Sequence, residues 1–186
     1  MKIGIDLDDV VVDTSKYAYR YLLPLFRGNK EIMDNLKDFA RGKLTNDNMF
    51  KVANKYAPKV WKKAKLKPDA LEVLNRLKES GHELIYITAR NNNINPEAET
   101  ITYRYFNKHG LPYDKIIFGT YNKRKTCLDE KVDVFIDDSV DTCNDLDKHT
   151  SITVYLFDSI VNRKLPSNVQ RVKSWYELET KINSVN

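Results

Sequence analysis

The sequence has little cysteine, little histidine and no long apolar run, and each shortage removes a class of protein. Two cysteines in 186 residues, Cys127 and Cys143, are too few for a disulfide scaffold and lack the CxxC spacing of a zinc site. The three histidines, His82, His109 and His149, lie far apart among polar neighbours. They are expected on the surface, and no Ser/His/Asp arrangement forms around them. No apolar stretch nears the ~20 residues that cross a bilayer. Met1-Lys2 leads straight into a strand with no signal-peptide pattern. The expectation is a cytoplasmic protein with no membrane partner. No internal repeat or low-complexity segment is visible.

What is present is ordinary globular material. Hydrophobic residues make up 41% and charged residues 31%, and a chain of this length buries a sizeable core as one domain carrying an insertion. The formal net charge of +5 favours anionic ligands, but the basic residues are dispersed rather than massed in one tract. A small phosphorylated substrate accounts for that balance as well as nucleic acid does, and nucleic acid is not the expected partner.

The pattern along the chain changes twice. An apolar strand opens the sequence and runs into Asp6, Asp8 and Asp9. Residues 14–65 then follow helical periodicity, with Tyr17, Tyr21, Leu22, Leu25 and Phe26 sharing a face. Further helical stretches are expected near 30–41, 45–57 and 58–65, with breaks at Gly28, Gly42 and Pro58. From Pro68 onward helices and short apolar strands alternate. Strands are expected at 83–87, 115–118, 132–136, 152–156 and 169–172, with helices over 69–80, after Pro96, from Lys123, over 140–148 and over 174–182. Buried strands separated by helices predict an α/β fold: a mostly parallel, Rossmann-like sheet covered on both faces. The helical block 14–65 reads as an insertion between 1–13 and 66–186.

In open α/β sheets, chemistry collects beyond the carboxyl ends of the strands. Here one strand ends at Asp6-Leu7-Asp8, another at Thr88 and a third at Asp137-Asp138, and a helix start carries Lys123 and Lys125. Asp6 and Asp8 lie two residues apart, so in extended chain both carboxylates point to one side and flank one reacting phosphorus. One carboxylate attacks; the other holds a proton for the leaving alkoxide and then activates water. Thr88 offers a hydroxyl to a phosphate oxygen, and the lysine offsets negative charge. Three carboxylates within four positions repel one another unless a divalent cation neutralises them, and hard oxygen ligands suit magnesium. Asp137 completes that set, while Asp138 holds a metal-bound water or orients the lysine.

With these four motifs in order, the chain resembles the haloacid dehalogenase-type phosphatases. The first motif reads Asp6-Leu7-Asp8-Asp9-Val10, the second Ile85-Tyr86-Ile87-Thr88, the third is a lysine, and the fourth is Phe135-Ile136-Asp137-Asp138. The resemblance implies a phosphorylated nucleophile at Asp6 and a general acid/base at Asp8. It implies Mg2+ held by Asp6, the Asp8 carbonyl and Asp137, with Asp138 beside it. A phosphate-binding set of Thr88, Ala89, Asp9 and either Lys123 or Lys125 follows, Lys123 being favoured. The helical block stands where this superfamily places its C1 cap. The run Asp-Val-Val-Val-Asp-Thr, the small cap and the Ile-Asp-Asp-Ser ending are similar to the 5'(3')-deoxyribonucleotidase-like branch, which implies a nucleoside monophosphate as substrate. Phe39 and Trp61 are then candidate base contacts. The chain departs from the better-known nucleotidases after Thr88, where it carries Ala89-Arg90; Arg90 is expected to bind a second anionic group or to anchor the Asn-rich loop. Another small phosphorylated metabolite is the alternative substrate, and a non-catalytic phosphate- or nucleic-acid-binding protein the alternative class.

Overall fold

A computed structural model describes residues 1–25, 47–93 and 95–185. Its strands are β1 (Lys2–Ile5), β2 (Glu83–Ile87), β3 (Lys115–Ile117), β4 (Val134–Asp137), β5 (Thr153–Phe157) and β6 (Arg171–Val172). They form one sheet in the order β3-β2-β1-β4-β5-β6, and every pairing is parallel. The helices are α1 (Thr14–Leu25), α2 (Asp47–Lys63), α3 (Ala70–Glu79), α4 (Ala98–His109), α5 (Lys123–Glu130), α6 (Val140–His149) and α7 (Trp175–Asn183). No helix among the described residues is long and apolar enough to cross a membrane.

Side chains alternate across the strands, so each strand feeds two cores. Ile3, Ile5, Leu84, Tyr86, Val134 and Ile136 join one cluster with Val73, Leu74 and Leu77 of α3 and Trp175, Leu178 and Ile182 of α7. Ile85, Ile87, Phe135, Val154 and Leu156 face the other way, onto Cys127 of α5 and Cys143 and Leu146 of α6. Both cysteines are buried and unpaired, which agrees with the absence of a disulfide framework. This two-sided burial explains why the strands read as continuous apolar runs instead of alternating ones.

Helix ends follow their local chemistry. Asn122 caps α5 by accepting from the Lys125 N–H, Ser139 caps α6 through Thr142, and Ser174 caps α7 through Glu177. Gly110 ends α4 in the left-handed region at φ 64°. Two expectations are corrected. The breaks and helices placed at 45–57 and 58–65 are a single helix, since α2 runs through Pro58. His82, expected on the surface, is buried, with its ring 3.5 Å from the Met1 amino group. The helix expected near 30–41 lies outside the described residues.

The two crossings between sheet and helical block are tied to each other. The Asp13 N–H donates to the Lys65 carbonyl at 2.8 Å, and the Lys67 N–H donates to the Val11 carbonyl at 2.8 Å. Trp175 locks the same loop from below by donating its indole N–H to the Val10 carbonyl at 3.0 Å. The loop that carries the acidic cluster is thereby fixed to both the core and the connection.

Gly4 lies in the middle of the central strand, where a Cβ would come within 2.8 Å of Phe135 Cδ2 and 3.0 Å of Val132 Cγ1. Gly4→Ala should cost about 1–3 kcal/mol through overpacking, read as a lower urea midpoint. An unchanged midpoint would mean that Phe135 swings aside freely and that the face is loosely packed.

Candidate active site

The sheet register decides what meets at its carboxyl edge. Ile5 stands level with Tyr86 on one side and Ile136 on the other, so the next step along these strands carries Asp6 and Asp137. The Asp6 N–H extends the ladder by donating to the Ile136 carbonyl at 2.8 Å. The chain then turns sharply: Val11 and Val12 both donate to the Leu7 carbonyl at 3.1 Å, and Asp9 takes a left-handed φ of 62°. That turn folds Asp8 and Asp9 back over the strand end instead of letting them continue outward.

Lys123, first residue of α5, reaches into this edge. Its ammonium bonds Asp6 Oδ1 at 2.5 Å and Asp137 Oδ2 at 2.7 Å, with all three groups at most one-tenth exposed. The other Asp137 oxygen accepts the Ser139 N–H at 2.8 Å. Asp138 lies beside them and accepts from the Ser159 hydroxyl at 3.1 Å, so it is braced by the loop after β5, with the Lys123 charge acting on it as well. Carboxylate oxygens of Asp6, Asp137 and Asp138 all lie within 4.8 Å of one another.

Burial dominates the charge states here. It pushes the Asp6 carboxyl up to about 7, with Lys123 opposing the shift and Asp137 and Asp8 adding to it. Asp138 is raised well above its ordinary value by burial and by Asp9, Asp137 and Asp6. Burial would also strip the proton from Lys123, but Asp137 and Asp6 outweigh it and hold the ammonium charged. When all three carboxyls are ionised, the one ammonium leaves them short of positive charge. The donors are hard oxygens, and six-coordinate magnesium spreads its ligands up to ~4.2 Å apart, so this set fits a small divalent cation after modest tightening.

Asp8 has different company. Burial pushes its carboxyl up, but Arg90 and Thr14 more than compensate and it lies below the ordinary range. Arg90 holds both oxygens, Nε to Oδ2 at 2.8 Å and Nη2 to Oδ1 at 2.6 Å, and the Thr14 hydroxyl donates to Oδ1 at 2.5 Å. The expectation that Arg90 binds a further anion or anchors the Asn-rich loop is thus corrected: its partner is Asp8. Nothing in the sequence spacing signals this contact, or that of Thr14.

The remaining candidates divide. Thr88 is buried at the tip of β2, and its hydroxyl oxygen accepts the Arg90 N–H at 3.2 Å, which leaves the hydroxyl hydrogen free to donate. Ala89 adjoins it, with its carbonyl taken by the Asn91 amide at 3.1 Å. Lys125 is not brought to the cluster; it pairs with Asp129 at 2.5 Å on the surface, because half a helical turn separates it from Lys123. Asp9 contributes no donor for phosphate: its N–H goes to the Val12 carbonyl and its carboxylate accepts the Ser15 N–H. Trp61 is buried against Ala98 and Ile101, with the Arg90 guanidinium 4.9 Å from its ring centre, so that face is not open to a base. Phe39 lies outside the described residues. Past Asp9 and Asp138 a cleft of about 510 Å³ opens, lined also by Ser15, Ser139, Asn144 and Asn162.

The parallel sheet and this edge of carboxylates, threonine and lysine define a hydrolase of the haloacid dehalogenase superfamily. The chain belongs to the family described as 5' nucleotidase, deoxy (pyrimidine), cytosolic type C protein, whose profile matches residues 1–185. A protein of Halalkalibacterium halodurans provisionally named a nucleotidase is 28% identical over 187 residues, covering 98% of this chain and 92% of that one. The fold is shared with a HAD-superfamily hydrolase of subfamily IA from Geobacter sulfurreducens, at TM-score 0.61 and 14% identity over 100% of this chain and 96% of that one. It is also shared with the D,D-heptose 1,7-bisphosphate phosphatase of B. bronchiseptica, solved with magnesium and phosphate, at TM-score 0.55 and 12% identity with both chains fully covered.

Removing one partner of a buried ion pair strands the others. Lys123→Met should therefore cost about 3 kcal/mol in urea unfolding without divalent cations, whereas Lys125→Met should leave the midpoint within about 0.5 kcal/mol of wild type. Equal effects of the two would mean that Lys123 does not hold the cluster together.

Proposed function

We propose that the chain is a magnesium-dependent phosphomonoesterase working through an aspartyl-phosphate on Asp6, with a nucleoside monophosphate as substrate. The observation that carries this reading is the convergence of Asp6, Lys123, Asp137 and Asp138 at one strand edge, beside the buried Thr88. Family membership supports the nucleotidase assignment, and the family's description favours a cytoplasmic location and a deoxyribonucleotide.

Asp6, Asp137 and Asp138 would hold the cation, with the Asp8 carbonyl as a further ligand. When bound, the ion offsets carboxylate repulsion and draws charge from the phosphoryl group, so that a dianionic ester approaches an anionic nucleophile. The Asp6 carboxylate attacks phosphorus opposite the ester oxygen. Thr88 donates its hydroxyl and Ala89 its N–H to the non-bridging oxygens, while Lys123 balances the charge that Asp6 and the phosphoryl group share. Asp8 would have to be freed from one of its Arg90 or Thr14 contacts and take up a proton before the first step. It gives that proton to the departing nucleoside oxygen, and as a carboxylate it then takes a proton from the water that attacks the aspartyl-phosphate. Inorganic phosphate and free Asp6 result. The helical block 14–65 serves as the cap that closes over the site, and its tied crossings at Asp13–Lys65 and Val11–Lys67 are the hinge.

Asp6→Asn should abolish phosphate release from nucleoside monophosphates without lowering the thermal midpoint; retained turnover would take the nucleophile role away from Asp6. A panel of nucleotides and sugar phosphates tests the substrate class, since equal rates across both would favour a general metabolite phosphatase.

The raised Asp6 carboxyl gives a further test. Between its ordinary value of 3.8 and about 7, folding opposes ionisation, so stability carried by the protonated form is lost as pH rises through that window. A cation binds the ionised form and competes with the proton. Magnesium should thus raise the thermal midpoint more at pH 8 than at pH 5; a pH-independent shift would place the ion elsewhere.

A further inference from the structure

Arg90 is among the most constrained side chains in the molecule, although no step above uses it. Its side chain is 2% exposed, so it has no free face for substrate. Two of its nitrogens grip the two oxygens of Asp8, a third donates to the Thr102 hydroxyl of α4 at 3.2 Å, and its plane lies over Trp61 of α2 at 4.9 Å. Its main chain is pinned as well, with the N–H on Thr88 Oγ1 at 3.2 Å and the carbonyl accepting from Gly119 at 2.9 Å. A planar fork held bidentately fixes direction as well as charge. Trp61 sits four residues before the Lys65–Lys67 crossing, on the helix that leads out of the helical block. Any movement of α2 against the sheet must either break the Trp61–Arg90 contact or pull the guanidinium across Asp8.

We infer that Arg90 is the positioning residue for Asp8, and that through Trp61 it ties the orientation of the acid/base to the seating of helix α2. The inference rests on the hydrolase reading given under Proposed function. In the arrangement seen, both Asp8 oxygens are taken, by Arg90 and by Thr14. For Asp8 to present a proton to a leaving oxygen, one of these contacts must be released while the other keeps the carboxyl aimed, and the packing of Arg90 on Trp61 couples that release to the seating of α2. A salt bridge that only stabilises the fold would affect all substrates alike; a clamp that aims the acid matters only where the leaving group needs a proton.

The experiment compares kcat/KM with magnesium for p-nitrophenyl phosphate, whose phenolate departs unassisted, and for phenyl phosphate, whose leaving group requires protonation. Positioned general acids supply ~10²–10⁴-fold. Arg90→Gln should accordingly lower kcat/KM for phenyl phosphate about 100-fold and for p-nitrophenyl phosphate less than about 5-fold. Arg90→Lys keeps the charge but not the fork, and should retain the fold and the same selective loss. Trp61→Leu should show the same selectivity at about 10-fold. Equal losses on both substrates, or none, would overturn the positioning role. An unselective Trp61→Leu would overturn the link to α2. Wild-type protein that hydrolyses neither these esters nor a nucleoside monophosphate would overturn the parent reading and this inference with it.

Discussion

Everything at the carboxyl edge of the sheet depends on one ammonium group. Parallel pairing of β1 with β4 brings Asp6 and Asp137 side by side, and the turn after Asp137 adds Asp138. Packed strands cannot separate these carboxylates, and burial removes the water that would screen them. Lys123 makes the arrangement tenable by bridging Asp6 and Asp137, but it neutralises only part of the charge. An ion held as proposed would supply the remaining positive charge.

The two acidic residues of the first motif live in opposite electrostatic settings although only Leu7 separates them. Asp6 faces other carboxylates and is raised to about 7; Asp8 faces a guanidinium and is lowered. The roles proposed for them need the opposite charge states, so a bound cation would have to hold Asp6 ionised and Asp8 would have to leave Arg90 to carry a proton. The turn at Leu7, with Asp9 in the left-handed region, is the backbone device that splits them. The same turn is bonded to the crossing toward the helical block, so the acidic cluster and that crossing share main-chain bonds.

Much of the fold was legible in the chain because its strands are buried on both faces and its helices carry ordinary caps. The helices expected from Lys123, over 140–148 and over 174–182 are formed, with Asn122, Ser139 and Ser174 as their caps. Pro58 misled, because a proline signals a break while tertiary packing of α2 against α4 sustains the helix through it. His82 misled because its polar neighbours in sequence are not its neighbours in space. At the site, Asp6, Thr88 and Asp137 were readable as strand-end residues, whereas the helix-start position left both Lys123 and Lys125 open and only the family resemblance favoured Lys123.

By itself, then, the sequence determined the strand-and-helix alternation, the two-sided core and the positions where carboxylates, threonine and lysine leave the strands, since these follow from periodicity and local propensity. The tertiary structure alone decided which lysine points inward, that Asp9 and Trp61 are already engaged, and that Arg90 grips an aspartate 82 residues away. Those outcomes depend on sheet order and helix placement, which bring together side chains that no local pattern connects.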